Sequence, residues 1–140
     1  VPIAKGGDNS IQTYGIESEA AQRRRAAVLV KAYLDSQAEA RWARACSYLT
    51  VKARTGLEGL AEGDGAPSAG CSSAMVALLG EAPRAALRRA AQIEVLSFRV
   101  RGKQGFVVYR DGSGEAFNLP LRREAGEWRV GALVGIGLAL

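Results

Sequence analysis

The chain contains no histidine. That removes the commonest general base, the commonest zinc ligand and the usual pH switch at once. Serine hydrolysis routed through a histidine is excluded. Only two cysteines are present, Cys46 and Cys71, too few soft ligands for a zinc centre. Aromatic residues make up 6% of the chain, with a single methionine, so small residues must fill much of the interior. No apolar run reaches the roughly 20 residues that a membrane-spanning helix needs. The longest apolar stretch, Gly131 to Leu140, suits a last strand. No metal and no cofactor are expected.

What is present is one domain's worth of chain: 140 residues, 48% of them hydrophobic. The net charge is +5 and the basic excess is mostly arginine. A basic balance can mark a nucleic-acid or anionic-lipid partner. Here the basic residues are spread along the chain and interleaved with glutamates, which describes a solvated surface, and no nucleic-acid partner is expected. The triplet Arg23-Arg24-Arg25 could face an anionic membrane, but a solvated helix face is the simpler reading. The Gly6-Gly7 and Gly112-Ser113-Gly114 runs lack the strand–loop–helix setting and trailing lysine of a phosphate loop.

Residues 1–16 carry Pro2 and several glycines with no apolar period, and read as a tail that is flexible unless it docks on the domain. The first residue is Val1, which fits either a removed export signal or trimming. Residues 17–140 read as a single domain. Ala20, Ala27, Val30 and Leu34 share one face of a helix over 17–37, with Glu17 and Glu19 favouring its positive end. Trp42, Cys46 and Leu49 mark a second helix. Thr50 suits an N-cap, followed by Ala53, Leu57 and Leu60 on a buried side. After a loop at 63–67, Ser68 would cap a helix carrying Cys71, Met75 and Leu78, stopped by Gly80. Pro83 opens one more short helix.

From Ile93 the period becomes alternating. Leu96, Phe98 and Val100 share a side of one strand. Phe106 to Arg110 make a second strand and Ala116 to Arg123 a third. Trp128, Val130, Ala132, Val134 and Ile136 alternate along a fourth. Pro120 lacks an amide hydrogen and belongs at a bulge or a sheet edge. Four strands joined by Gly-rich turns make an antiparallel meander, which the helices must cover: an α+β fold.

The cysteines admit two main readings. In an exported protein they form a disulfide; in a cytosolic one they are small buried thiols. A redox pair would need closer spacing. A bridge would close a loop of about 25 residues and contribute roughly 3 to 4 kcal/mol by chain entropy. The structural disulfide is the favoured reading.

Three local patterns carry a resemblance. They are Val30-Lys31-Ala32-Tyr33-Leu34 with Trp42, Ala45-Cys46 and Leu49-Thr50; then Cys71-Ser72-Ser73-Ala74; then Gly126-Glu127-Trp128-Arg129-Val130. Together with the element order, they make the chain resemble the cone-shaped α+β superfamily of nuclear-transport-factor-2-like proteins, in particular small exported members from high-GC Gram-positive bacteria, over approximately Glu17 to Leu138. The superfamily includes isomerases, dehydratases, polyketide cyclases and non-catalytic binding modules. Its enzymes place an aspartate or histidine deep in the cone, often with a tyrosine. This chain departs from that: Asp35 should pair with Lys31, and Asp8, Asp64 and Asp111 fall in loops. The resemblance implies an extracytoplasmic location, either secreted or held at the cell envelope through an N-terminal anchor. It also implies a cavity that Tyr33, Trp42, Tyr48, Phe98, Tyr109 and Phe117 could line; the plainer reading makes these core residues. Three functions follow as expectations. The first is a non-catalytic module binding a small apolar ligand or a cell-envelope protein. The second is an isomerase- or cyclase-type enzyme using the cavity, and the third is a structural homodimer.

Overall fold

The computed structural model describes residues 10–63 and 70–138. Over these described residues it is an α+β fold of six helices and a six-stranded antiparallel sheet. The helices are α1 (Ser10–Thr13), α2 (Ala20–Ala38), α3 (Trp42–Ser47), α4 (Val51–Gly63), α5 (Cys71–Leu79) and α6 (Arg84–Ala90). The strands are β1 (Ile16–Glu17), β2 (Glu94–Arg101), β3 (Gln104–Arg110), β4 (Ala116–Glu124), β5 (Glu127–Val130) and β6 (Ile136–Leu138). The sheet order is β1-β2-β3-β4-β5, with β6 also paired to β4. The expected four-stranded meander is therefore corrected to six strands, through two departures at its margins.

The first departure is at the N-terminus. From Ser10 onward the expected tail is ordered on the domain, while residues 1–9 lie outside the described residues. Ile16 and Glu17 pair with Val100 and Arg99 to make β1. The Glu17 carboxylate accepts from the Phe98 amide at 2.9 Å, so this residue holds a strand edge rather than the start of a helix. Arg99 donates to the Tyr14 and Gly15 carbonyls at 2.6 and 3.1 Å. The Tyr14 ring meets Phe106 edge-on at 4.9 Å, with the Arg101 guanidinium 4.8 Å above it. Gly15 is required: its φ is +50°, and a Cβ there would overlap the Val100 carbonyl.

The second departure is in the last strand. β5 pairs with β4 from Leu121 to Glu124, and β6 pairs with β4 from Ala116 to Asn118. Five residues, 131–135, thus stand opposite only Leu119 and Pro120, and the alternating run read from Trp128 to Ile136 is broken. Pro120 explains the position. Its carbonyl accepts from the Gly131 amide at 2.8 Å, but it has no hydrogen to return, so the ladder opens there, as expected of a proline at a bulge.

A smaller bulge interrupts β2 between Val95 and Ser97. It turns Leu96 out to 41% exposure while Phe98 is fully buried, which corrects the reading that placed both on one side. In α2 the buried stripe is Ala26, Val30, Tyr33, Leu34 and Gln37. Ala20 is exposed; alanines occur around the whole helix, and the bulky Tyr33 decides which face turns inward. Leu49 lies just past α3, in an extended segment whose residues 48–50 bridge Val130 of β5. Thr50 caps α4, its hydroxyl accepting from the Ala53 amide at 2.9 Å. On α4 Leu57 and Ala61 are buried, whereas Leu60 is 62% exposed, contrary to its expected place on the buried side. Ser68 lies outside the described residues; Gly70 precedes α5 directly.

Cys46 of α3 and Cys71 of α5 form a disulfide with a Cα–Cα separation of 6.1 Å. It ties together two helices that contact each other in the cover over the sheet. The core gathers Val30, Tyr33, Leu49, Met75, Phe98, Val107, Leu119, Leu121 and Val130, each fully buried. These side chains come from α2, α5, the segment after α3 and the strands β2 to β5, so the helical cover and the sheet share one core.

Candidate functional site

Two places merit description: the interior between α2 and the sheet, and an open groove beside α4.

The interior is built around Tyr33. Its hydroxyl donates to the Leu133 carbonyl at 2.5 Å and receives the Gln37 amide hydrogen at 2.9 Å. The Gln37 amide also reaches the Leu133 carbonyl at 3.1 Å. Tyr33 and Gln37 are one turn apart on α2, both buried. The carbonyls freed where β5 and β6 part are thus satisfied by helix side chains, which a buried carbonyl requires. Tyr109 stacks on Phe117 with centroids 5.7 Å apart, and Gly135 passes so close to the Tyr109 hydroxyl that a Cβ would overlap it. Burial pushes the Tyr33 hydroxyl far above the ordinary tyrosine range; neighbouring Tyr109 adds to this and the Gln37 hydrogen bond offsets a part. Burial, with a smaller push from Asp111, raises Tyr109 to about 12. Both hydroxyls hold their protons, so neither is a base near neutral pH.

The six aromatics read as cavity-lining are placed as follows. Tyr33, Phe98 and Tyr109 are buried in the core. Phe117 and Trp42 pack against the core half-buried. Tyr48 also packs against the core half-buried, at a shallow depression of about 200 Å³ with Asp35, Ser36, Glu39 and Arg44. Tyr109 stacks on Phe117, Phe98 joins Trp128 edge-on at 5.1 Å, and all six pack in or against one core cluster. Asp35 pairs with Lys31 at 2.9 Å, as the spacing predicts. Among the described residues the buried polar side chains are Ser36, Gln37, Thr50 and Asn118, with no carboxylate. Gln37 was missed from sequence; its signal was the four-residue step from Tyr33 along one helix face.

The groove is larger, about 830 Å³. One wall is the α4 face bearing Ala53, Gly56, Leu57 and Leu60, with Lys52 in its first turn. The other is formed by Gln104, Pro120 and Arg122 and by the segment from Gly131 to Leu133. Cross-strand pairs Gln104–Arg122 and Phe106–Pro120 alternate with Gly105–Leu121 and Val107–Leu119. Gln104, Pro120 and Arg122 therefore lie on the sheet face opposite the buried Val107, Leu119 and Leu121. The lining is mainly apolar, and its charged residues are the cations Lys52 and Arg122. The sequence does not join these residues into a site: Ala53, Leu57 and Leu60 read as the buried side of a helix and Pro120 as a break in the sheet.

No family model, no curated protein and no solved structure matches this chain. Among the described residues no helix is long and apolar enough to cross a membrane, and no group of three potential ligands could hold a metal ion.

Proposed function

We propose that the protein is a non-catalytic, extracytoplasmic binding module with the cone-like layout of the nuclear-transport-factor-2-like superfamily. The observation that supports this reading is the composition of the interior among the described residues: apolar and aromatic side chains with no buried carboxylate. Where an enzyme of that layout would keep a cavity with an acid, Tyr33, Phe98, Met75 and Leu119 are fully buried, and no buried carboxylate stands among the described residues. General acid–base chemistry needs a titratable group held in reach of a substrate. The tyrosines here are engaged in holding the 131–135 segment. Binding at the surface groove uses what the fold leaves open. The Cys46–Cys71 disulfide supports an oxidising compartment, where such bonds persist.

The test is carbon- and nitrogen-edited NMR of the labelled protein against a library of small apolar fragments. Shift changes at Ala53, Leu57, Leu60 and Leu133, with the rings of Phe98 and Tyr109 unmoved, are the expected result. Fragments that move the Tyr33, Tyr109 and Phe117 rings together would return the isomerase- or cyclase-type reading to first place.

A further inference from the structure

The groove beside α4 has a chemistry more specific than an apolar slot. Its volume of about 830 Å³ lies inside the range of small-molecule sites, roughly 300 to 1,000 Å³. Its floor is contributed by Ala53, Leu57, Leu60, Pro120, Ala132 and Leu133. The charged groups lining it are Lys52 and Arg122, and among the described lining residues none is acidic. Neither cation has a carboxylate partner among the described residues; Arg122 reaches only the Gln104 side-chain oxygen, at 3.5 Å. Glu124, the last residue of β4, reaches the start of α4, where its carboxylate accepts from the Val51 amide at 3.3 Å.

Lys52 is also misplaced for helix stability. A cation in the first turn opposes the helix dipole, which favours negative charge there. An anion beside Lys52 would relieve that repulsion, in addition to the Glu124 carboxylate that already meets the Val51 amide. Leu60, exposed on the groove side of α4, offers apolar area that folding leaves in water.

We infer that this groove binds a single-chain anionic amphiphile, its apolar tail along the α4 floor and its anionic head drawn to Lys52 and Arg122. The inference rests on the binding-module reading and names the ligand class for it. Long-chain carboxylates and monoacyl phosphates share this chemistry. The tail is held by burial of methylenes, each worth about 0.8 kcal/mol, so affinity should climb with chain length. The head is held by charge, so it should fall with salt.

The experiment is calorimetric titration of the intact protein with dodecyl phosphate and dodecanoate below their micelle-forming concentrations, beside dodecyltrimethylammonium and an uncharged dodecyl maltoside. Both anionic probes should bind, and the cationic probe at least about tenfold more weakly, as expected for a charge-assisted contact. Arg122→Glu and Leu60→Asp should each weaken dodecyl phosphate by about tenfold or more. Lys52→Glu should do the same while improving the helix terminus, so that loss of binding in this variant is separable from loss of fold. Equal affinity for the anionic and cationic probes, or binding unchanged in all three variants, would overturn the inference. If no dodecyl probe binds while apolar fragments still shift the α4 groove, the ligand class is wrong and the binding module stands. If the probes instead move Tyr33 and Tyr109, both readings fall. A preference for phosphate over carboxylate, or the reverse, identifies which source of the head group the site suits.

Discussion

The Tyr33 hydroxyl donates to the Leu133 carbonyl at 2.5 Å across 100 residues of sequence. It joins the C-terminal half of α2 to the gap between β5 and β6. The gap exists because Pro120 cannot return a hydrogen bond to Gly131, and the contact exists because a carbonyl left by the ladder must find a donor.

Tyr33→Phe keeps the ring and removes that donor. The Gln37 amide still reaches Leu133, so the loss should be about 1 to 2 kcal/mol rather than the larger cost of an orphaned carbonyl. Adding Gln37→Leu should cost more than the two single changes combined, because only then is Leu133 unpartnered. Urea denaturation of the four proteins measures the coupling; strict additivity would show that the two side chains act independently.

The disulfide is testable by mass. Non-reducing spectrometry of the native protein should find no alkylatable thiol. Replacing both cysteines with serine should lower stability by up to about 3 to 4 kcal/mol through freedom returned to the unfolded chain. Two thiols readily alkylated without denaturant would contradict the bond.

The two buried tyrosines predict an alkaline limit. An acid whose proton is held more tightly in the folded state stabilises the fold fully below its unfolded pKa, about 10 for tyrosine. That contribution is lost as pH rises through the folded value, about 12 for Tyr109 and higher for Tyr33. Stability should be level up to about pH 10 and then fall. Tyrosinate absorbance followed against pH should show a late component that coincides with unfolding. Tyr109→Phe should diminish this component, and a profile in which all tyrosines ionise before any unfolding would be the wrong outcome.

Gly135 and Gly137 are two residues apart and should respond oppositely. A Cβ at Gly135 would overlap the Tyr109 hydroxyl, whereas one at Gly137 meets nothing within 4 Å. Gly135→Ala should cost about 1 to 3 kcal/mol, the usual range for overpacking, while Gly137→Ala should stay within about 0.5 kcal/mol of neutral. Thermal melts of the pair, side by side, decide it; equal midpoints would mean that the close approach is absent in solution.

Much of this architecture was legible in the chain by itself. The switch from helical to alternating period near Ile93 marks where the helices end and the sheet begins, because a side chain's direction repeats every 3.6 residues in one and every two in the other. Thr50 as a cap, Asp35 beside Lys31 and Pro120 at a break in the ladder are local chemistry, set by neighbours within a few residues. The cysteine pair was legible as a candidate bridge only on the reading that the chain is exported, with two buried thiols as the alternative. What only the tertiary structure decided depends on contacts between distant segments. Leu60 and Leu57 are equally apolar, but α4 turns one to the core and leaves the other on an open groove. Tyr33 was legible as an aromatic on the inner face of its helix; that its hydroxyl meets the carbonyl of Leu133, 100 residues away, was not. The tail from Ser10 became a sheet edge because Arg99, Phe98 and Phe106 offered it hydrogen bonds and a ring face. Local pattern specifies elements, and packing specifies which faces meet, because burial is shared between segments that no short window of sequence contains.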